Sequence, residues 1–105
     1  MKFKLIGRNN KYPDKIEAWE FEKSPVPEWL SEIAKISSIT DDKVQLEYRK
    51  TNTGGVEILD SSGQSTLVKL ETKDSSVCKN LDVEFGGIFA LTSKQLELLY
   101  MCYEV

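Results

Sequence analysis

Apolar and polar residues alternate with a period of two through most of the chain, the pattern of β-strands whose two sides meet different surroundings. Lys2-Phe3-Lys4-Leu5-Ile6 opens it as a first strand, and Gly7 to Lys11 reads as a turn. Ile16-Glu17-Ala18-Trp19-Glu20-Phe21 follows. Here Trp19 and Phe21 share one side while Ile16 and Ala18 share the other, so this strand is expected inside a sheet, covered on both faces. Pro25 and Pro27 end the strand. Proline suits a first helical turn, where its missing N–H costs nothing. The spacing of Trp29, Leu30, Ile33 and Ala34 then predicts a helix over 27–36, with Ser37 to Asp42 as a polar exit loop.

Val44-Leu46-Tyr48, Val56 to Leu59 and Leu67 to Thr72 read as hairpin strands, joined by the Thr51-to-Gly55 loop and the Asp60-Ser61-Ser62-Gly63 turn. Lys73 to Ser76 reads as loop, Leu81 to Phe85 as a strand, and Ile88 to Leu91 as a short buried strand. Thr92 with Gln95 three residues on matches a capping box and opens a helix over 93–103, which would bury Leu96, Leu99, Tyr100 and Tyr103. The expected fold is one α+β domain over 1–105: an antiparallel sheet of about five to seven strands with two helices.

Composition narrows the chemistry. The 105 residues are 40% hydrophobic and 30% charged, enough for one core. The chain has no histidine, which removes imidazole catalysis, imidazole metal ligands and imidazole pH switching. Two cysteines, Cys78 and Cys102, are too few for an all-cysteine zinc site. No metal ligand set and no cofactor motif is expected. A disulfide between them stays open, with reduced thiols the expectation for a cytoplasmic chain. That setting is expected because no apolar run approaches a membrane span and MKFKLIGRNN lacks the core of a secretory signal.

The formal charge of −3 gives no general attraction to nucleic acid, which is set aside as a partner. The charge is uneven. Residues 1–15 hold five basic residues against one acidic, and the rest nine against sixteen. A basic arm on an acidic body could grip a phosphate-rich or acidic partner, but the favoured reading is that Lys2 and Lys4 suit an edge strand, where lysine discourages aggregation.

The reactive groups do not assemble into a catalytic set. Glu20 with Glu22, Asp41 with Asp42 and Asp82 with Glu84 fall on polar strand sides or in loops. Cys78 has Lys79 beside it but no usual base, and the Thr53-Gly54-Gly55 run lacks the lysine and helix of a phosphate loop. The chain is therefore expected to be no enzyme. Large rings on a two-sided strand and near two prolines make Trp19 and Trp29 the candidate binding residues, with Arg8 and Arg49 as cationic partners for an anion.

Three stretches carry a resemblance. They are Lys15-Ile16-Glu17-Ala18-Trp19-Glu20-Phe21, Pro27-Glu28-Trp29-Leu30, and Gly87-Ile88-Phe89-Ala90-Leu91-Thr92 running to Leu98-Leu99-Tyr100. In order, they resemble a family of small phage and prophage proteins with a "KKPVVIEAFQ"-like strand, a P-x-W helix and a closing strand and helix. The family's "I-x-T-x-x-G" hairpin would correspond to Val56 through Gly63. The extra Gly7-to-Asp14 segment departs from the pattern, as does the unclear "G-D-Y/W-I" segment near Cys78 to Asp82. The resemblance implies a phage setting and no activity. With the acidic body, it leads to an accessory protein that binds a host or phage protein, for instance to inhibit a host defence system. A nucleotide-like ligand binder and a virion assembly component are the alternatives, and homo-oligomerisation is compatible with each.

Overall fold

The computed structural model describes residues 1–7, 10–84 and 86–104. Its elements in chain order are β1 (Lys2–Leu5), β2 (Lys15–Glu20), α1 (Glu28–Ser31), β3 (Ile36–Thr40), β4 (Lys43–Leu46), β5 (Tyr48–Lys50), β6 (Val56–Leu59), β7 (Thr66–Leu70), β8 (Ser75–Asn80), β9 (Ile88–Thr92), α2 (Ser93–Leu99) and β10 (Tyr100–Glu104). A five-stranded antiparallel sheet runs β10-β1-β2-β8-β9, a three-stranded one β5-β6-β7, and β3-β4 form a separate pair.

The expected α+β class is thereby corrected. The described residues form ten strands and two short helices, 48% strand against 11% helix, so the fold is predominantly β. The helix expected over 27–36 is the four-residue α1, with Leu30 its one buried side chain. It ends early because Ala34 bridges to Asp60 and Lys35 exchanges backbone bonds with Leu59 and Glu47, drawing the chain into sheet pairing. The helix expected over 93–103 stops at Leu99. The capping box at Thr92 and Gln95 is present in both directions. Tyr100, however, pairs with Leu5, Met101 with Lys4 and Cys102 with Phe3. Their alternation serves a strand as well as their spacing serves a helix, and the unpaired side of β1 decides between them. That strand also makes β1 internal, so Lys2 and Lys4 do not guard an edge.

The interior position of β2 is as expected. Trp19 and Phe21 enter one core with Leu30, Val56, Ile58, Leu70 and Val77, between the five- and three-stranded sheets. Ile16 and Ala18 enter a second core on the opposite face with Leu5, Cys78, Leu91, Leu96 and Tyr100, closed by α2. β8 lies beside β2 with the same two-sidedness: Val77 faces the first core, Cys78 the second. Its opening serines, read as loop from the sequence, are both buried. Residues 81–84, expected to be strand, form a turn in which the Asp82 N–H donates to the Asn80 side chain at 2.8 Å; Phe85 lies outside the described residues.

Ser76 is fully buried, and its hydroxyl oxygen has no hydrogen-bond partner. A buried hydroxyl left unpaired costs about 1–3 kcal/mol. Ser76→Ala is accordingly expected to stabilise the protein by ~1 kcal/mol, raising Tm by about 4 °C. A melting curve of the variant at or below wild type would show that the hydroxyl is satisfied in solution.

Candidate functional site

The four residues singled out from the sequence are not brought together. Trp19 is buried in the first core, meets Phe21 edge-on at 5.8 Å, and its Nε1 donates to the Ser24 carbonyl at 2.8 Å. It holds the chain after β2 and presents no ring to solvent. Arg49 stands on the other sheet, directly across β5 and β6 from Glu57, with Nη2 and Oε2 3.9 Å apart. Arg8 lies outside the described residues. Arg49 is exposed, and of the two tryptophans Trp29 is the half-buried one. Its Nε1 donates to a Glu17 carboxylate oxygen, and the Lys79 ammonium lies 5.9 Å from its ring centroid.

The other candidate groups are placed where they are inert. Cys78 is fully buried, and loss of solvent pushes its thiol up to about 12, far from the thiolate needed for attack. No disulfide joins it to Cys102, which is exposed. Asp41, Asp42, Asp82 and Glu84 are exposed side chains in turns. Asp74 is held below the usual carboxylate range by the Ser93 hydroxyl at 2.7 Å and then by Lys23 at 3.2 Å. It acts as an exposed tie between the start of α2 and the turn after β2. A hollow of about 430 Å³ has Met1, Trp19, Pro25 and Pro27 in its wall, with Glu17, Glu20 and Lys23 among its charged groups.

The β3–β4 hairpin carries a feature the sequence reading missed. Its register pairs Ile36 with Leu46, Ser38 with Gln45, Ile39 with Val44 and Thr40 with Lys43, leaving Asp41-Asp42 as a two-residue tip. A bulge between Ile36 and Ser38 shifts the alternation by one. Ile36 and Ile39, three apart, therefore share a face that an unbroken strand would divide. That face starts in the core at buried Leu46, passes half-buried Val44 and ends at Ile39, which is 71% exposed. β3 and β4 pack chiefly on each other, so the hairpin overhangs the body. The signal was Ile39 within Ser37-Ser38-Ile39-Thr40, too isolated to register as a strand.

Comparison with models of known families, with characterised proteins and with solved structures finds no match to this chain. Among the described residues, no helix is long and apolar enough to cross a membrane.

Proposed function

We propose that this chain is a non-enzymatic binding protein that engages a protein partner through the β3–β4 hairpin. The observation that carries the reading is the overhanging apolar face ending in Ile39 beside Asp41 and Asp42. A β-branched side chain held in water at the end of a paired strand gains nothing in the isolated molecule; against a partner it buries apolar area worth roughly 2 kcal/mol. The adjoining carboxylates select a partner whose apolar contact is rimmed by basic groups, and their repulsion of acidic surfaces adds specificity. The motif resemblance supplies a phage or prophage setting. There, covering the basic nucleic-acid-binding surface of a host defence factor is a use that suits an acidic hairpin.

The test is affinity capture from host extract with the wild-type chain, Ile39→Asp and the Asp41→Lys/Asp42→Lys pair, identifying retained proteins by mass spectrometry. All three positions are exposed, so melting temperatures should stay within about a degree or two of wild type. A partner held by wild type and weakened roughly tenfold or more by each variant is expected, as for a central interface residue. Retention undiminished by both variants would exclude the hairpin as the contact.

A further inference from the structure

The inner face of the five-stranded sheet is covered over only part of its area. Over Trp19, Val77 and Ala90 lies the three-stranded sheet; beyond Trp29 that cover ends. Directly paired residues of antiparallel strands point to the same face, so the register identifies what stands on the open part. Lys2 pairs with Glu17 and Lys4 with Lys15 between β1 and β2; Glu17 pairs with Lys79 on β8, and Met101 with Lys4 on β10. Glu104 pairs with Lys2 on β10, so four lysines and two glutamates share this face.

Of the two glutamates, Glu17 is engaged by the Trp29 Nε1, which donates to it, and Glu104 stands across from Lys2, away from Lys15 and Lys79. Lys4 and Lys15 are exposed, and no described carboxylate lies within ion-pair distance of Lys4, Lys15 or Lys79. At physiological salt a charge is felt over only about 8 Å, so this local field, and not the net −3, governs what approaches.

We infer that this face binds the phosphate backbone of a single-stranded nucleic acid. Lysine is a point charge suited to phosphate, whereas gripping carboxylates in pairs favours the arginine fork, absent from the described face. Exposed Met101 stands across from Lys4, with exposed Tyr103 at the bulge of β10. Such apolar surface gains from unstacked bases and gains nothing from a duplex whose bases are hidden. The net charge, which set nucleic acid aside in the sequence, averages this face with the acidic remainder and so hides it.

The test is fluorescence anisotropy of a labelled oligothymidylate 20-mer titrated with the full chain. The same 20-mer annealed to its complement, and polyglutamate as competitor, run in parallel. With Lys4, Lys15 and Lys79 each releasing counterions, affinity should fall ~16-fold between 50 and 200 mM salt, a log–log slope of about −2. Lys4→Gln/Lys15→Gln/Lys79→Gln should weaken binding at least about tenfold at low salt and flatten that slope, with the β-sheet circular dichroism unchanged. Ile39→Asp, on the hairpin, should bind as wild type, so this inference and the proposed protein contact fail separately. Absence of binding at high micromolar protein would overturn it. So would equal affinity for the triple variant, equal affinity for the duplex, or equally effective competition by polyglutamate at matched charge.

Discussion

Gly55→Ala is expected to cost ~3 kcal/mol, lowering Tm by roughly 12 °C or more. A Cβ at this position would lie 2.3 Å from the Leu70 carbonyl oxygen and 2.9 Å from that of Glu71. Both obstacles are backbone, at the end of β7, so no side chain can swing aside. Gly55 is also clamped in place. Its N–H donates to the Thr51 hydroxyl at 2.9 Å, and its carbonyl accepts from the Thr51 N–H at 3.0 Å. The loop must part from β7 to admit a methyl group, and fully buried Val56 and Leu70 would part with it. Neighbouring Gly54 makes the control: its φ is +85°, but open space surrounds it, so Ala there meets only conformational strain of about 1 kcal/mol. Chemical denaturation of both variants measures the difference. A Gly55→Ala protein as stable as Gly54→Ala would show that the β5–β6 loop does not sit against β7.

The second large effect is a loss of stability in alkali, beginning near pH 9. Burial raises the Cys78 thiol from 9.0 to about 12 and the Tyr100 phenol from 10.0 to about 12. The Tyr100 hydroxyl also donates to the Pro13 carbonyl at 2.7 Å, a bond that needs its proton. For both groups the fold prefers the neutral form. Above pH 9 the unfolded chain gives up the Cys78 proton first, and above pH 10 that of Tyr100, while the native state keeps both. The unfolded state then binds fewer protons, and unfolding free energy falls as pH rises. The contribution is intact below pH 9 and lost progressively between 9 and 12, with Cys78 alone accounting for up to ~4 kcal/mol. Denaturation midpoints taken from pH 8 to 11.5 should decline accordingly. Cys78→Ala should delay the onset to about pH 10, and Cys78→Ala/Tyr100→Phe should flatten most of the remainder. An unchanged onset in Cys78→Ala would mean that the thiol titrates normally in the fold.

How much of this was legible beforehand follows the physics of each segment. β2 could be placed inside a sheet because apolar groups occupy both of its faces, and the Thr92 capping box located α2 because its two hydrogen bonds are local. β8 could not be read. Its Ser75 and Ser76 carry no apolar signal, and only the register against Glu20, Leu91 and Thr92 shows them to be interior. β10 misled because Tyr100 and Tyr103 satisfy helical spacing, whereas the partner that makes Tyr100 a strand residue, Leu5, lies at the other end of the chain. For the sites, the sequence did not separate buried Trp19 from half-buried Trp29: periodicity shows that a ring has a side, not which side is covered. The hairpin face, and the part of the lysine face beyond the basic stretch over 1–15, were illegible for one reason. Each depends on cross-strand register, the first through a bulge that shifts alternation, the second through β8, which lies far in sequence from β1 and β2.

The sheet with a core on each face also bears on how the molecule opens. β2 and β8 are the wall that both clusters share, and every apolar side chain they carry is held by one cluster or the other. Neither cluster can loosen without baring the back of a strand on which its counterpart rests. The amide hydrogens of these two strands should therefore reach solvent only when the whole chain unfolds, while the β3–β4 hairpin, resting on little besides itself, breathes far more often. The most protected part of this protein and its proposed contact with a partner thus lie at opposite ends of its own scale of local stability.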